Sequence, residues 1–464
     1  MSALAPRMRE ASRPGPELAR GLNLWDATFV VLGLVLGGGI FLTPSAIAKA
    51  LPAEWAILTV WIVGGVLSIM GGFVYAEMGA MIPKAGGMYL YFREAFGELP
   101  AFLYVWVAYW VIQTGANAAV AVGFATYFSV FFPQLSTARI VANVGSFPIS
   151  AGQLVAVALT IVLSATHYIG VRKGARIQGV FTLLIVLALV WLALGGLISG
   201  APAASVSAPA TAPPIGLSAF GIAMIAVFWC FYGWSDIVAV AGEVARPDRN
   251  LPLALIIGTG LITLLYVAVN DVFIKVIPPA EMATVAQPAA LAAERLFGPG
   301  SKVVISLAVT AAAVGCASAG LLAGPRVVYA LAKDGLFPEA FARVHPRFRT
   351  PSFAIVIQAI WMSLLCLSGR YDQLYTYAIF AVILAYAGTG VALFLFRRRL
   401  PNLPRPYRCW GYPVVPFLFV VTSLALAANT IREQPRETLT GVAILLLGLP
   451  VYFWQKKRRA EKAP

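Results

Sequence analysis

Twelve apolar runs alternate with short polar connectors along the chain, near residues 26–51, 55–81, 99–132, 151–170, 177–199, 217–245, 251–277, 300–332, 352–368, 373–396, 411–431 and 438–455. An α-helix crosses the hydrocarbon core with about 20 apolar residues, and about 17 suffice. The pattern therefore predicts twelve spanning helices. Two of the runs are interrupted. Val31 to Phe41 carries Gly37, Gly38 and Gly39 midway along the first span, and each glycine costs a helix interior about 1 kcal/mol relative to alanine. The sixth run reads Phe220 to Trp229, then Cys230-Phe231-Tyr232-Gly233-Trp234-Ser235-Asp236, then Ile237 to Glu243. Unwound backbone survives at membrane depth only where it is buried in protein or lines a cavity, so both spans are expected to break there and border a cavity. A glycine packing notch in each helix is the plainer alternative, and three glycines in succession weigh against it.

A break at mid-membrane leaves one half-helix ending in free carbonyls and another starting with free N–H groups. Such a pair of partial charges suits a zwitterion. Spans 1 and 6 would open two five-helix halves, and because five is odd the halves insert with opposite orientation. Paired interruptions in inverted halves point to a transporter's midplane site. The expected organisation is a cytosolic tail (1–20), a first five-helix repeat (21–199), an external linker rich in alanine, proline and serine (200–216), a second, inverted repeat (217–396), helices 11 and 12 (397–455) and a basic cytosolic tail (456–464).

Composition agrees with this division. The chain is 60% hydrophobic and 11% charged, with a mean hydropathy of +0.83, against an apolar share of about 45–50% in soluble domains. It reads as an all-α polytopic membrane protein. The termini and every second connector, together with Arg326 near the end of the eighth run, hold 26 of the 34 lysines and arginines. Cytoplasmic loops carry such an excess, which places both termini in the cytoplasm of a plasma (inner) membrane protein. The net charge of +15 is thereby explained as orientation on an anionic leaflet, without a nucleic-acid partner. Met1 to Arg20 lacks the apolar core of a secretory signal. Cys230, Cys316 and Cys366 lie inside apolar runs and Cys409 in a basic loop, so none is placed for an external disulfide. His167 and His345 show no nucleophile, base or metal-ligand pattern around them. Neither an enzyme, nor a metal site, nor a cofactor is expected.

The ordered motifs carry a resemblance. Gly37-Gly38-Gly39-Ile40-Phe41, Tyr75-Ala76-Glu77-Met78-Gly79, Pro83-Lys84-Ala85-Gly86-Gly87, Glu94-Ala95-Phe96-Gly97, Gly174-Ala175-Arg176, Gly233-Trp234, Gly242-Glu243, Asn250-Leu251-Pro252, Arg326 and Asp334-Gly335-Leu336-Phe337-Pro338 follow one another over residues 21–455. The chain resembles the amino acid/polyamine/organocation superfamily, and within it the branch of L-type amino acid transporters and their bacterial relatives. The resemblance implies a LeuT-type five-plus-five inverted repeat with two additional C-terminal helices, and alternating access. It implies that N–H groups of Gly38 and Gly39 hold the substrate carboxylate, and that carbonyls of Val35, Leu36, Trp229, Cys230 and Tyr232 hold its ammonium. Trp229 falls where the family places an aromatic gate; a lipid- or bundle-facing aromatic is the alternative. Gln113, Asn117, Ser235, Phe380 and Ile383 are candidate contacts for the substrate side chain.

Charged residues inside spans are costly in lipid and call for partners. Asp26 is a candidate N-cap of the first span. Glu77 and Glu243, near Arg93, Arg246 and Arg249, are candidates for structural or gating salt bridges, and Asp271 and Lys275 for an i, i+4 pair. Asp236 lies deeper. It could carry a coupling proton, partner a substrate amine, or be a hydrogen-bonded packing residue.

The expected activity is transport of amino acids, neutral L-amino acids first, by exchange or proton coupling; a polyamine or cationic amino acid carrier is the alternative, and an amino acid channel or sensor the alternative of another class. Sodium-independent relatives in the family carry a lysine in helix 5 in place of a sodium ion, and here Ile185 falls at that position. In the matching stretch of helix 8, Ala313 to Gly320, only Ser318 offers a hydroxyl, beside Cys316, a poor ligand for a hard cation. Sodium-independent transport is therefore expected. The family's disulfide-linked accessory subunit attaches through a cysteine between helices 3 and 4, and residues 133–150 contain none.

Overall fold

The first helix, α1 (Leu24–Val35), starts at Asn23, whose side chain accepts the N–H groups of Trp25 and Asp26 at 2.8 and 3.1 Å. The Asp26 carboxylate in turn accepts the Asn23 N–H at 3.0 Å. This reciprocal pair is a capping box, so Asn23 is the N-cap and Asp26 its supporting third residue, a correction to the expectation above. The computed structural model describes residues 22–82, 87–145, 147–169, 174–198, 215–333 and 335–462. The linker 200–214, part of the Pro83 motif and Asp334 lie outside the described residues.

Beyond α1 the chain unwinds, makes a short 3-10 turn over Gly38–Phe41, and resumes as α2 (Thr43–Ala50). There follow α3 (Glu54–Met81), α4 (Met88–Phe96), α5 (Glu98–Val107), a π turn over Ala108–Gln113, and α6 (Thr114–Phe128). A hairpin of β1 (Ile140–Val144) and β2 (Phe147–Ser150) precedes α7 (Ala151–Ile169). It departs from the all-helical expectation. Its first strand is rich in β-branched residues, and Gly145, at φ 62°, supplies the left-handed turn conformation that hairpins favour.

The remaining elements are α8 (Gly174–Ile198), α9 (Leu217–Phe231), a 3-10 helix over Trp234–Glu243, α10 (Pro247–Val276), α11 (Pro279–Met282), α12 (Pro288–Phe297), α13 (Gly300–Lys333), α14 (Ser352–Ser368), α15 (Tyr371–Arg399), α16 (Val414–Glu433) and α17 (Pro435–Lys462). Helix α12 fills a stretch the apolar pattern leaves blank, because its buried face is small: Ala289, Ala290, Ala292 and Ala293.

Among the described residues eight helices are long and apolar enough to cross a membrane, and α1, Leu183–Ile198, α9 and α14 are shorter apolar helices. The chain is thus a mostly helical, polytopic membrane protein. Its outer surface agrees: Val162, Leu194, Leu264, Phe417 and Leu447 are each more than half exposed, large apolar side chains that lipid solvates better than water. Inside, Trp61, Tyr75, Trp234 and Tyr266 are fully buried. Helix α10 packs along α3 and α1, α13 along α6, and α15 along α16.

Two charge pairs report on the acids inside spans. Lys275 meets Asp271 at 2.6 Å, as the i, i+4 spacing predicts. Glu77, fully buried on α3, takes the Arg397 Nε and Nη2 at 2.9 and 2.5 Å and the Cys409 N–H at 2.6 Å, with Arg405 Nε at 3.5 Å. Its partners come from the end of α15 and the connector after it, not from Arg93. A buried carboxylate satisfied by a bidentate guanidinium and a backbone N–H is a clamp between elements. Glu243 makes no side-chain ion pair among the described residues; its carbonyl accepts the Leu22 N–H at 3.1 Å.

Candidate functional site

The breaks in the first and sixth spans face each other. Helix α1 ends at Val35, and the Gly37 N–H turns back to the Val35 carbonyl at 2.7 Å instead of reaching Gly33. The carbonyls of Gly33 and Leu34 are therefore left without a backbone donor among the described residues, as expected of a helix C-terminus. The Leu36 carbonyl likewise has no backbone donor among the described residues, while that of Val35 receives the Gly37 N–H. On the other side of the break, Gly38 and Gly39 open the 3-10 turn, and their N–H groups have no acceptor in it.

In the sixth span α9 stops at Phe231, and Gly233, at φ 118°, redirects the chain into the 3-10 helix that follows. A Cβ at Gly233 would stand 2.2 Å from the Leu34 oxygen. Only glycine allows the two breaks to approach this closely.

Between them lies a cavity of about 170 Å³. Its wall includes Gly33, Leu34, Val35, Gly38 and Gly39 from the first span, Trp229, Cys230, Tyr232, Gly233 and Asp236 from the sixth, and Gln113 and Asn117 from the third. Cys316, Ala319 and Gly320 of α13 close the remaining side. Of the sequence candidates, Leu36, Ser235, Glu77, Glu243, Phe380 and Ile383 are not on this wall. Leu36 donates its N–H to Leu32 at 2.8 Å. Ser235 is buried behind it, its hydroxyl 3.4 Å from that of Tyr386. Phe380 instead lines a separate apolar cavity with Tyr104 and Ile112.

Several groups fix the shape of the wall. The Thr43 hydroxyl donates to the Gly39 carbonyl at 3.0 Å and lies 2.9 Å from the Cys230 sulfur. Tyr127 donates to the Phe41 carbonyl at 2.6 Å, and Tyr266 to the Cys230 carbonyl at 3.1 Å. Of the proposed ammonium acceptors, the Val35, Trp229 and Cys230 carbonyls thus each already receive one donor, the last two from Tyr232 N–H and Tyr266. A carbonyl oxygen keeps a second lone pair. Asn117 donates to the Gln113 carbonyl at 2.7 Å and packs directly on Gly320.

Trp229 covers Gly39: a Cβ there would be 3.0 Å from the indole Nε1 and 3.1 Å from Cδ1. The indole N–H donates to the Tyr371 hydroxyl at 2.7 Å, and its ring lies nearly parallel to that of Tyr375, at 18° and 5.9 Å. Tyr371 and Tyr375, at the start of α15, were outside the sequence reading. Nothing in their local pattern separates them from the other aromatics of an apolar run.

On α13, Cys316 and Gly320 share the cavity face at i, i+4, which turns Ser318 away from it. Its hydroxyl lies 3.0 Å from His167 Nε2 of α7. Ile185 is buried.

The family model described as amino acid permease matches residues 22–453. The chain belongs to the amino acid permease family. This permease is 29% identical to the serine/threonine exchanger SteT of Bacillus subtilis over 96% of its own length and 98% of that protein. It is 29% identical to the human cystine/glutamate transporter, over 98% of its own length and 90% of the other, and to the human large neutral amino acids transporter small subunit 2, over 96% and 82%.

Proposed function

We propose that this permease is a secondary transporter that carries amino acids, neutral L-amino acids first, by alternating access. The carrying observation is the facing pair of breaks: free N–H groups of Gly38 and Gly39 and free carbonyls of Gly33 and Leu34 border one cavity. The first pair matches a carboxylate and the second an ammonium. Val35, Trp229, Cys230 and Tyr232 complete the amine side, and Trp229 closes the seat against Tyr371. Gln113 and Asn117 meet the substrate side chain. Eight long and four shorter apolar helices fit twelve spans arranged as two inverted five-helix repeats, 21–199 and 217–396, with both termini in the cytoplasm of the plasma (inner) membrane.

Exchange is the favoured mode, since one relative is named a serine/threonine exchanger; proton coupling through Asp236 is the alternative. Sodium independence is supported by the hydroxyl of Ser318, which faces His167 rather than the cavity. One relative is named a small subunit. Residues 133–150 of this chain hold no cysteine, so no disulfide-linked accessory subunit is expected, and a single species on non-reducing gels checks this.

Purified protein in liposomes loaded with unlabelled amino acid should accumulate labelled amino acid by counterflow that saturates. Non-saturable flux without dependence on internal substrate would assign a channel, and binding without flux a sensor.

A further inference from the structure

We propose that the apolar cavity lined by Phe380 binds one acyl chain of a membrane phospholipid, and that its occupancy holds the π turn that presents Gln113 to the substrate cavity. The acyl-chain site stands by itself; the coupling rests on the transporter reading above.

This second cavity measures about 230 Å³, more than the one between the breaks. Leu103 and Val107 of α5, Ile112 of the π turn, Phe380 and Leu384 of α15 and Leu445 of α17 belong to its wall, and Tyr104 brings the one polar side chain among the described residues of that wall. Apolar cavities of about 150 Å³ exclude water and take up hydrocarbon instead. In a bilayer, hydrocarbon is the surrounding medium. Leu384 and Val442, both on the wall, are 37% and 38% exposed, and Leu446 and Leu447 beside them face outward. The cavity therefore opens between α15 and α17 onto the lipid-facing surface. Its lining runs from Pro100 to Ile112, about 18 Å at 1.5 Å per residue. That is a slot, the shape of a chain rather than of a compact ligand. At the Pro100 end Phe92 stacks on Tyr104 at 5.1 Å. The next residue, Arg93, is exposed, and Arg399 donates to the Ala95 carbonyl at 2.9 Å. Two guanidinium groups at that end favour a chain that carries a phosphate over a neutral lipid.

The coupling follows from the register of the third span. Pro100, Leu103, Tyr104 and Val107 form a helical stripe on the slot. A regular helix would carry this stripe to Val111, but the π turn, which repeats at i+5, carries it to Ile112. Gln113, the next residue, lines the substrate cavity with Asn117 and Val120. Consecutive residues of one turn thus face two cavities. Side chains hold the turn from the far side, where the Trp110 carbonyl accepts the Thr114 hydroxyl at 2.7 Å and the Trp361 indole N–H at 2.8 Å. On the slot side, a chain against Ile112 supplies the remaining support.

The test is to fill the slot covalently. A Cβ at Gly441 of α17 would meet only the Phe380 ring, at 3.7 Å, so Gly441→Leu places its side chain in the slot without a backbone clash. Purified protein is incubated with palmitoyl-oleoyl phosphatidylglycerol and examined by native mass spectrometry. The wild type should keep one phospholipid under activation that strips the others, Gly441→Leu should keep about ten-fold less, and Leu447→Ala, on the outer surface, should match the wild type. Ala381→Leu fills the slot from α15 and replaces Gly441→Leu if that variant is not monodisperse. Equal retention in wild type and filled variant, no retained phospholipid in the wild type, or preferential retention of free oleate or a sterol overturns the site. For the coupling, the neutral amino acid that most raises the melting temperature should bind lipid-loaded wild type about five-fold more tightly than delipidated wild type, while Gly441→Leu binds it tightly in both states. Equal affinity in loaded and delipidated wild type overturns the coupling. If no amino acid stabilises either form, the transporter reading fails and the coupling with it, and the retained-lipid count still decides the site.

Discussion

In the first break a methyl group added at Gly38 would meet nothing within 4 Å, whereas in the sixth span one added at Gly233 would come within 2.2 Å of the Leu34 carbonyl oxygen. Both breaks are built on glycine, for opposite reasons. Gly233 is occupied space: its left-handed backbone lets two chain segments touch. Gly38 is vacant space, held open beside free N–H groups. Gly39 stands between the two cases, since the group it accommodates is the movable Trp229 indole rather than backbone. A glycine in a broken helix thus has a meaning only after its Cβ direction is known.

This contrast can be broken by substitution. The largest effect is expected for Gly233→Ala, which sets a side chain at φ 118°, costs about 1–3 kcal/mol in backbone strain alone and pushes Leu34 away. Monodisperse protein should be lost on size-exclusion chromatography, or uptake should fall below about a tenth of wild type. Full uptake by this variant would show that the breaks need not touch.

Gly39→Val comes next. The branched side chain must displace Trp229, so uptake should fall by about ten-fold or more while the protein still folds, as thermal unfolding of the purified variant would report. The physical reason is the indole above Gly39, in addition to crowding of the carboxylate seat.

Gly38→Ala should separate binding from folding most cleanly. With open space around it and no left-handed φ, the variant should keep or slightly raise its Tm, while KM for the amino acid rises several-fold through loss of close approach to the backbone. A fall in Tm with unchanged KM would reverse the roles assigned to the two glycines.

Smaller still is Tyr371→Phe. It removes the acceptor of the Trp229 indole bond, worth about 1 kcal/mol, and keeps the ring beside Tyr375. Exchange should slow by about five-fold or less, with Trp229→Phe giving no further loss once Tyr371 is changed. Replacing all sodium by choline should leave uptake unchanged, the smallest effect; a strict sodium requirement would return Ser318 to the ion path.

Much of this organisation was legible beforehand because bilayer thickness imposes a length on every span and glycine is costly inside one. The runs, the interruptions at Gly37-Gly38-Gly39 and Gly233, the Asp271 and Lys275 pair and the polytopic class all follow from local pattern. What the pattern left open were matters of direction. Sequence spacing places Leu36 and Ser235 beside the breaks, yet only the diverted Gly37 N–H and the tighter 3-10 turn decide that Gly33 and Leu34 present free carbonyls and that Ser235 points to Tyr386. Likewise Ser318 is two residues from Cys316, and helical rotation sends it to His167. Glu77 found Arg397 and Arg405, more than 300 residues away. Span length and backbone cost are properties of the chain alone, so the sequence determined them; which lone pair or Cβ faces the cavity depends on the rotation and meeting of distant helices, and only the tertiary structure decided it.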